Sequence, residues 1–490
     1  MGKIKAKKWG IVSLAAAGAA LTATITFSPD PKPQMGMNTN FVREYVSALP
    51  FADVAKQGGN WFKADERGKI SSPKTLATVT NQGYPTERAV MRVLTGEYEW
   101  PAGWWTLVGD NVSLVGPGVI SRQGSTWELS GDRSVSIFAN GPITQAELWM
   151  PGQKGNLFNE DHIAILAGEI AVIRTGPDWS ETNLWFRNGS SKDAFHTWGE
   201  RPLRHHSRWN IVPWEVHALY ANELDCDLWI NIPHLTDDVY VRSLARLLKN
   251  TLEPGRKLIV EYSNEIWNEG FPQGRDAKAI AMDGALPGKR GKPGSVAGSW
   301  ARPKFEIFKR EYGTGVKFAV MGHVTTPDFA KDMLEVVGFA DIVGCSGYLP
   351  PDSSEFDALP REEQLMITPT QFVEACIKNI PRVERGLKAH RDLARRYRAS
   401  FELYEWAPSD ARAGYKPWGL AWIQAFDSPE FAALHQMQYD LFDAVGVRRA
   451  CYYAFSQLPA HGSGTWGLWY DLYNPTFGAE VFLSNPPDKK

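Results

Sequence analysis

Residues 258–268 read Leu-Ile-Val-Glu-Tyr-Ser-Asn-Glu-Ile-Trp-Asn. The first three are branched and apolar with no alternation, the pattern of a strand covered on both faces. The run then breaks into carboxylates, an amide and an indole, so it reads as a buried strand that delivers polar groups to one end. Working outward, similar runs recur at Ile170–Arg174, Leu228–Ile232, Lys317–Met321, Asp341–Cys345, Phe401–Glu405 and Arg449–Phe455, with an earlier one over 35–40. Helix-like stretches separate them, among them Val239–Leu252, Pro303–Tyr312, Thr370–Tyr397 and Pro429–Val445. Strand and helix in strict alternation define an α/β protein with a parallel sheet, and eight units predict a closed (β/α)8 barrel. The alternative, an open doubly wound sheet, lacks its glycine-rich phosphate turn after any early strand.

One segment has a different texture. From about residue 69 to 151 helical periodicity is absent and short β-rich runs recur: Ala89–Leu94, Trp104–Val108, Val112–Val115, Val135–Ala139 and Thr144–Met150. Glycine, proline, asparagine and aspartate punctuate them, which predicts a small antiparallel sandwich. The expected layout is 1–33 as leader and linker, 34–67 as the first barrel unit with a helix near Phe51–Trp61, and 68–155 as an inserted all-β domain. Residues 156–475 complete the barrel and 476–490 form a tail. The stretch Gly284–Ser299 reads as a loop joining two helices within one unit.

In such a barrel the chemistry stands at the C-terminal ends of the strands. Those ends offer Arg174, Asp178 and Trp179 (second strand), Asn231 and His234 (third), Asn264, Glu265 and Trp267 (fourth), and His323 (fifth). Tyr348 follows the sixth, Glu405 and Trp406 close the seventh, and Tyr453 closes the eighth. A lone glutamate at a strand end reads as an ion pair. Two of them, Glu265 and Glu405, each flanked by aromatics, are the groups glycoside hydrolysis requires: one protonates the leaving oxygen and the other attacks the anomeric carbon or activates water. Glu261 and Glu402 are weaker candidates. Glu402 precedes Glu405 by three residues and points to the other face of a regular strand, and Glu261 lies a layer below Glu265. Trp179, Trp198, Trp267 and Trp406 lie just past strand ends, where a flat ring can cover the apolar face of a sugar; packing within loops is the competing reading of each.

A barrel with Asn-Glu closing strand 4 and Glu closing strand 7 resembles the clan A glycoside hydrolases. The layout is also similar to exported bacterial barrel proteins with a β insert after the first unit. The resemblance implies that Glu265 is the acid/base, Glu405 the nucleophile of a retaining hydrolase, and Asn264 the partner of the sugar 2-hydroxyl. It further implies that Arg174 supports the nucleophile, that Tyr348 stands beside it, and that His234 corresponds to a strand 3 histidine. The chain departs from the clan at Ser346, where members often carry histidine, and at strand 8, where Tyr452, Tyr453 and Phe455 replace tryptophan. A transglycosylase would use the same residues with a different acceptor. A carbohydrate-binding protein on a degenerate barrel is the non-enzymatic alternative, and it has no need of both carboxylates.

Composition narrows the rest. The 490 residues are 43% hydrophobic and 22% charged, which is globular. The formal charge is −2, and the first 27 residues hold four lysines and no acid, so the remainder carries −6. A mildly acidic body argues against nucleic acid as the main partner; the expected partner is a carbohydrate. Four dispersed cysteines form no CxxC or Cys/His cluster, so neither a disulfide scaffold nor a zinc site is expected. His205-His206 lacks further ligands, Ser346 has no nucleophile elbow, and the reading requires no cofactor. Lys3, Lys5, Lys7 and Lys8 precede an uncharged run from Trp9 to Phe27 and a proline-rich linker. This reads as an export signal or an N-terminal membrane anchor, cleaved or retained, and as the chain's one membrane contact.

Overall fold

The computed structural model describes residues 32–71, 75–180, 197–284, 290–408, 415–458 and 466–486. Eight parallel strands close on one another: β1 (Gln34–Asn38), β2 (Val172–Arg174), β3 (Asp227–Ile232), β4 (Leu258–Tyr262), β5 (Val316–Gly322), β6 (Ile342–Cys345), β7 (Ser400–Trp406) and β8 (Arg449–Tyr452). β1 pairs with both β2 and β8, which seals the (β/α)8 barrel. The expected leader at residues 1–31 lies outside the described residues. Among the described residues no helix is long and apolar enough to cross a membrane.

Side chains alternate between two cores. Val172, Trp229, Ile259, Ala319, Met321, Ile342, Tyr404 and Cys451 fill the barrel's interior. Their neighbours Ile173, Leu228, Val260, Val320, Val343, Leu403 and Ala450 face outward against the helices. The interior is tight: a Cβ at Gly344 would fall 1.7 Å from the carbonyl oxygen of Glu402, so only glycine lets β6 approach β7 there. Helix ends follow their capping chemistry. Asp237 caps Asp238–Thr251, Thr368 and Gln371 form a capping box before Pro369–Tyr397, and Ser428 caps Pro429–Val445. Between β4 and β5 lie two helices, Pro272–Asp283 and Pro293–Tyr312. The second begins inside the stretch read as a loop and carries Pro303 in its interior.

The β insert leaves the barrel after β1 and returns before the first barrel helix, Glu160–Leu166, so it belongs to the rim at the C-terminal ends of the strands. Two antiparallel bridges, Phe51 to Phe158 and Asp53 to Trp149, make a narrow neck. Beyond it stand two four-stranded antiparallel sheets. One orders Trp61–Lys63, Ala89–Leu94, Val135–Ala139 and Val112–Val115; the other orders Val119–Gln123, Thr126–Leu129, Gly103–Val108 and Glu147–Trp149. They enclose a separate core that includes Trp105, Leu107, Ile137 and Leu148.

Two expectations near the neck need correction. The helix expected over Phe51–Trp61 is a single 3-10 turn, Val54–Gln57, because residues 51 and 53 are held extended by the neck bridges. Trp61–Lys63 pairs with Ala89–Met91, so the insert's first strand lies before residue 68. The strands at Val119–Gln123 and Thr126–Leu129 escaped the sequence reading; their charged residues and two-residue turn hide a weak alternation.

Candidate active site

Chain geometry at the ends of β4 and β7 sets the site. Past Tyr262 the backbone makes two left-handed steps, Ser263 at φ 57° and Glu265 at φ 41°. Such conformations are costly for residues with a Cβ and persist only when neighbours hold them. Here Asn231 Nδ2 donates to the Ser263 carbonyl at 2.6 Å, Gln273 Nε2 to that of Asn264 at 2.7 Å, and the Asn268 amide to that of Glu265 at 2.7 Å. Asn268 Nδ2 then donates to Glu265 Oε2 at 2.8 Å.

On β7 the register against β8 slips by one residue between Leu403 and Trp406. A bulge of this kind turns the strand's faces over. Glu402 and Tyr404 face inward in normal alternation, Glu405 also faces inward, and Trp406 is thrown outward. The inference that Glu402 and Glu405 occupy opposite faces therefore fails, because β7 is not a regular strand. Glu402 instead pairs with Arg449 (3.1 Å) at the barrel's far end.

The two glutamates meet around Tyr404 and Arg174. Tyr404 donates its hydroxyl to Glu265 Oε1 at 2.8 Å. Arg174 Nη1 donates to Glu405 Oε1 at 2.8 Å, and Tyr348 donates to Glu405 Oε2 at 2.9 Å. Arg174 Nη2 also donates to Asn264 Oδ1 at 2.7 Å, and the guanidinium lies 4.9 Å from the Tyr404 ring centre. Burial raises the pKa of both carboxyls. Glu405 is opposed in this by the Arg174 charge and the Tyr348 hydrogen bond. For Glu265 the Glu405 charge adds to burial and lifts it to about 7. The Glu405 charge thus favours the protonated form of Glu265, while Arg174 and Tyr348 favour the charged form of Glu405.

Other expected site residues divide. Asp178, buried one turn past β2, stands beside Tyr453, and neither of its oxygens has a hydrogen bond of good geometry among the described residues. Burial and the Glu405 charge hold it well above the usual carboxylate range. Trp267 and His323 pack against each other at the rim, ring centres 4.6 Å apart. Asn231 braces the β4 turn.

Four lie elsewhere. Trp406, turned out by the bulge, packs edge-on to Tyr452 and Phe442 in the outer core. Trp179 is 1% exposed; its short helix carries the ring back onto Phe51 and Tyr220, where its Nε1 donates to the Asn40 carbonyl. His234 points out of the barrel, held by Tyr262 and Asp276 at 3.3 Å each. Trp198 packs on Tyr240 and under Arg201.

The sequence reading missed Asn38, Trp229 and Tyr404. Asn38 Nδ2 donates to the carbonyls of Tyr404 and Tyr452, tying β1 to the ends of β7 and β8. An asparagine closing an apolar strand was the available signal. Among the described residues no group of three or more His, Cys, Asp or Glu is placed to hold a metal ion. A cavity of about 680 Å³ opens at the opposite end of the barrel, where Arg449 pairs with Asp227 (3.3 Å) and Lys317 with Asp341 (2.9 Å).

Fold and site together define a (β/α)8 barrel with a carboxylate cluster at its C-terminal rim. Among solved structures it is similar to a GH51 arabinofuranosidase from Xanthomonas axonopodis pv. citri (14% identity over 64% of this chain and 63% of that one, TM-score 0.38). It is also similar to AbfB, a family 51 α-L-arabinofuranosidase from Bifidobacterium longum (12%, 68% of each chain, TM-score 0.41), and to a Cellulomonas fimi endo-β-1,4-mannanase (10%, 66% and 64%, TM-score 0.35). The chain spans just under two thirds of the Xanthomonas and Cellulomonas enzymes. No family model and no curated protein matches the sequence.

Proposed function

We propose that this protein is a glycoside hydrolase that cleaves a poly- or oligosaccharide with retention of anomeric configuration. The observation that supports this reading is the pair of carboxyls in one cluster with opposed surroundings: Glu405 held by Arg174 and Tyr348, and Glu265 lifted to about 7. Glu405 attacks the anomeric carbon while Glu265 gives its proton to the departing oxygen. Glu265 then takes a proton from water, which attacks the same carbon and releases Glu405 as a carboxylate. Asn264 faces the sugar 2-hydroxyl. Asp178 and Tyr453 contact the ring, and Trp267 with His323 lines the way in. The lysine-led apolar start of the chain exports the protein or anchors it to a membrane.

A panel of polysaccharides and aryl glycosides tests the reading, with product configuration followed by proton NMR. Glu265→Gln and Glu405→Gln should each lower kcat/KM by on the order of 10³-fold on natural linkages. Glu405→Ala should be partly rescued by azide with inverted product. Full activity in either glutamine variant would overturn the assignment, and an inverted wild-type product would overturn retention.

A further inference from the structure

A guanidinium has five N–H donors, and all five of Arg174 are engaged. Nη1 donates to Glu405 Oε1 (2.8 Å) and Asn38 Oδ1 (2.9 Å). Nη2 donates to Asn264 Oδ1 (2.7 Å) and Glu261 Oε2 (3.1 Å), and Nε donates to the same Glu261 oxygen (3.3 Å). Glu261 also accepts from Trp229 Nε1 at 3.0 Å. Arg174 is 0% exposed and Glu261 4%. One buried cation is therefore shared by two buried carboxylates, one of which has no part in the bond-making steps proposed above.

A buried ion pair is weak evidence of a stabilising role, since desolvation offsets the attraction. The geometry makes Glu261 more than a neutraliser. It grips the Nε edge of the guanidinium, the edge away from Glu405. It thereby fixes which way the Nη1 and Nη2 donors point, toward Glu405 and Asn264.

We propose that Glu261 is a positioning residue, which aims Arg174 at Glu405 and Asn264 and divides its charge, so that Glu405 is held ionised without being over-stabilised. This rests on the reading of Glu405 as the nucleophile. A carboxylate facing an unshared buried arginine is a poor base and a poor nucleophile, because its charge is already met. With Glu261 present, one positive charge is spread over two negative ones and Glu405 keeps its reactivity.

Other groups facing Glu405 set the background. Glu265 comes from the β4 turn and Asp178 from beyond β2. Tyr348, Tyr404, Tyr453 and Cys451 come from the ends of β6, β7 and β8, and burial holds all four in their neutral forms. Replacing Glu261 by glutamine keeps an acceptor oxygen for Arg174 and removes only the charge.

The test uses the full chain labelled at glutamate carboxyl carbons. The Glu405 signal is identified by its loss in Glu405→Gln, and its titration is compared in wild type, Glu261→Gln and Glu261→Asp. The expected result is a downward shift of about one pH unit in Glu261→Gln, and none in Glu261→Asp, which keeps the charge. On an aryl glycoside the acidic limb of kcat/KM should move with it, and kcat should fall about tenfold at unchanged KM. An unmoved Glu405 titration in folded Glu261→Gln would overturn the proposal. So would activity lost only in proportion to folded protein, measured by circular dichroism. If wild type cleaves no glycoside but the titration shifts as stated, the sharing of the Arg174 charge by Glu261 stands and the hydrolase reading falls.

Discussion

Glu265 shows how one side chain carries both a rate and a stability. Its folded pKa of about 7 lies above the ordinary 4.5. As the acid it must hold its proton, so activity should fall as pH rises through about 7, while the acidic limb belongs to the ionisation of Glu405. In Glu265→Gln, assayed on an activated aryl glycoside that needs no protonation, the alkaline limb should flatten; a limb that stays in place would refute the assignment. The stability sign follows from the same shift. Between about 4.5 and about 7 the folded chain keeps a proton that the unfolded chain has released, so this group lowers stability as pH rises across that window. Glu265→Gln should therefore raise Tm at pH 8 and leave it nearly unchanged at pH 4.

At the scale of the element, β7 is where pattern reading and structure part. Apolar runs and strand-end carboxylates were enough to place eight strands and the Glu265–Glu405 pair, because burial on both faces leaves a signature in composition. A bulge leaves none. Phe-Glu-Leu-Tyr-Glu-Trp reads as six alternating residues, yet one extra residue against β8 swings Glu405 inward and Trp406 outward. Tyr404 was lost for the same reason, and Trp179 because a one-turn helix reverses the side chain's direction. Core and groove make different predictions for Trp406. Trp406→Ala should cost about 3–5 kcal/mol by a denaturant melt, and Trp406→Phe should lower Tm while leaving KM at the wild-type value. A raised KM in the phenylalanine variant would return Trp406 to the groove.

At the scale of the molecule, the insert grips the rim. The Trp209 amide donates to the Lys56 carbonyl and the Ser207 amide to that of Gln82, which holds the loop after β2. On the far side Asp471, beyond β8, accepts from the Glu99 amide, and Leu458 packs on the insert's core. The sandwich thus braces loops from two barrel units that flank the carboxylates. Trp105→Ala, made in the insert's core, should speed amide exchange at Ser207 and Trp209 by tenfold or more, on the order expected for 1–2 kcal/mol of local stability. Exchange unchanged at those two amides would mean that the loop stands by itself.

The neck has a kinetic consequence. β1 must find β2 across about 135 residues of chain, Gly36 pairing with Val172. Once Asp53 lies against Trp149, the insert drops out of that search and the loop to be closed shrinks to about 40 residues. Closure entropy grows as the logarithm of loop length, so the saving is about 1 kcal/mol, several-fold in rate. The insert holds its own core and its strands pair within the insert alone, their longest reach being Ala89 to Ala139, shorter than the Gly36 to Val172 seam, which favours its earlier formation. A domain that looks like a late addition to the barrel is, for the growing chain, the splint that lets the barrel's first seam close.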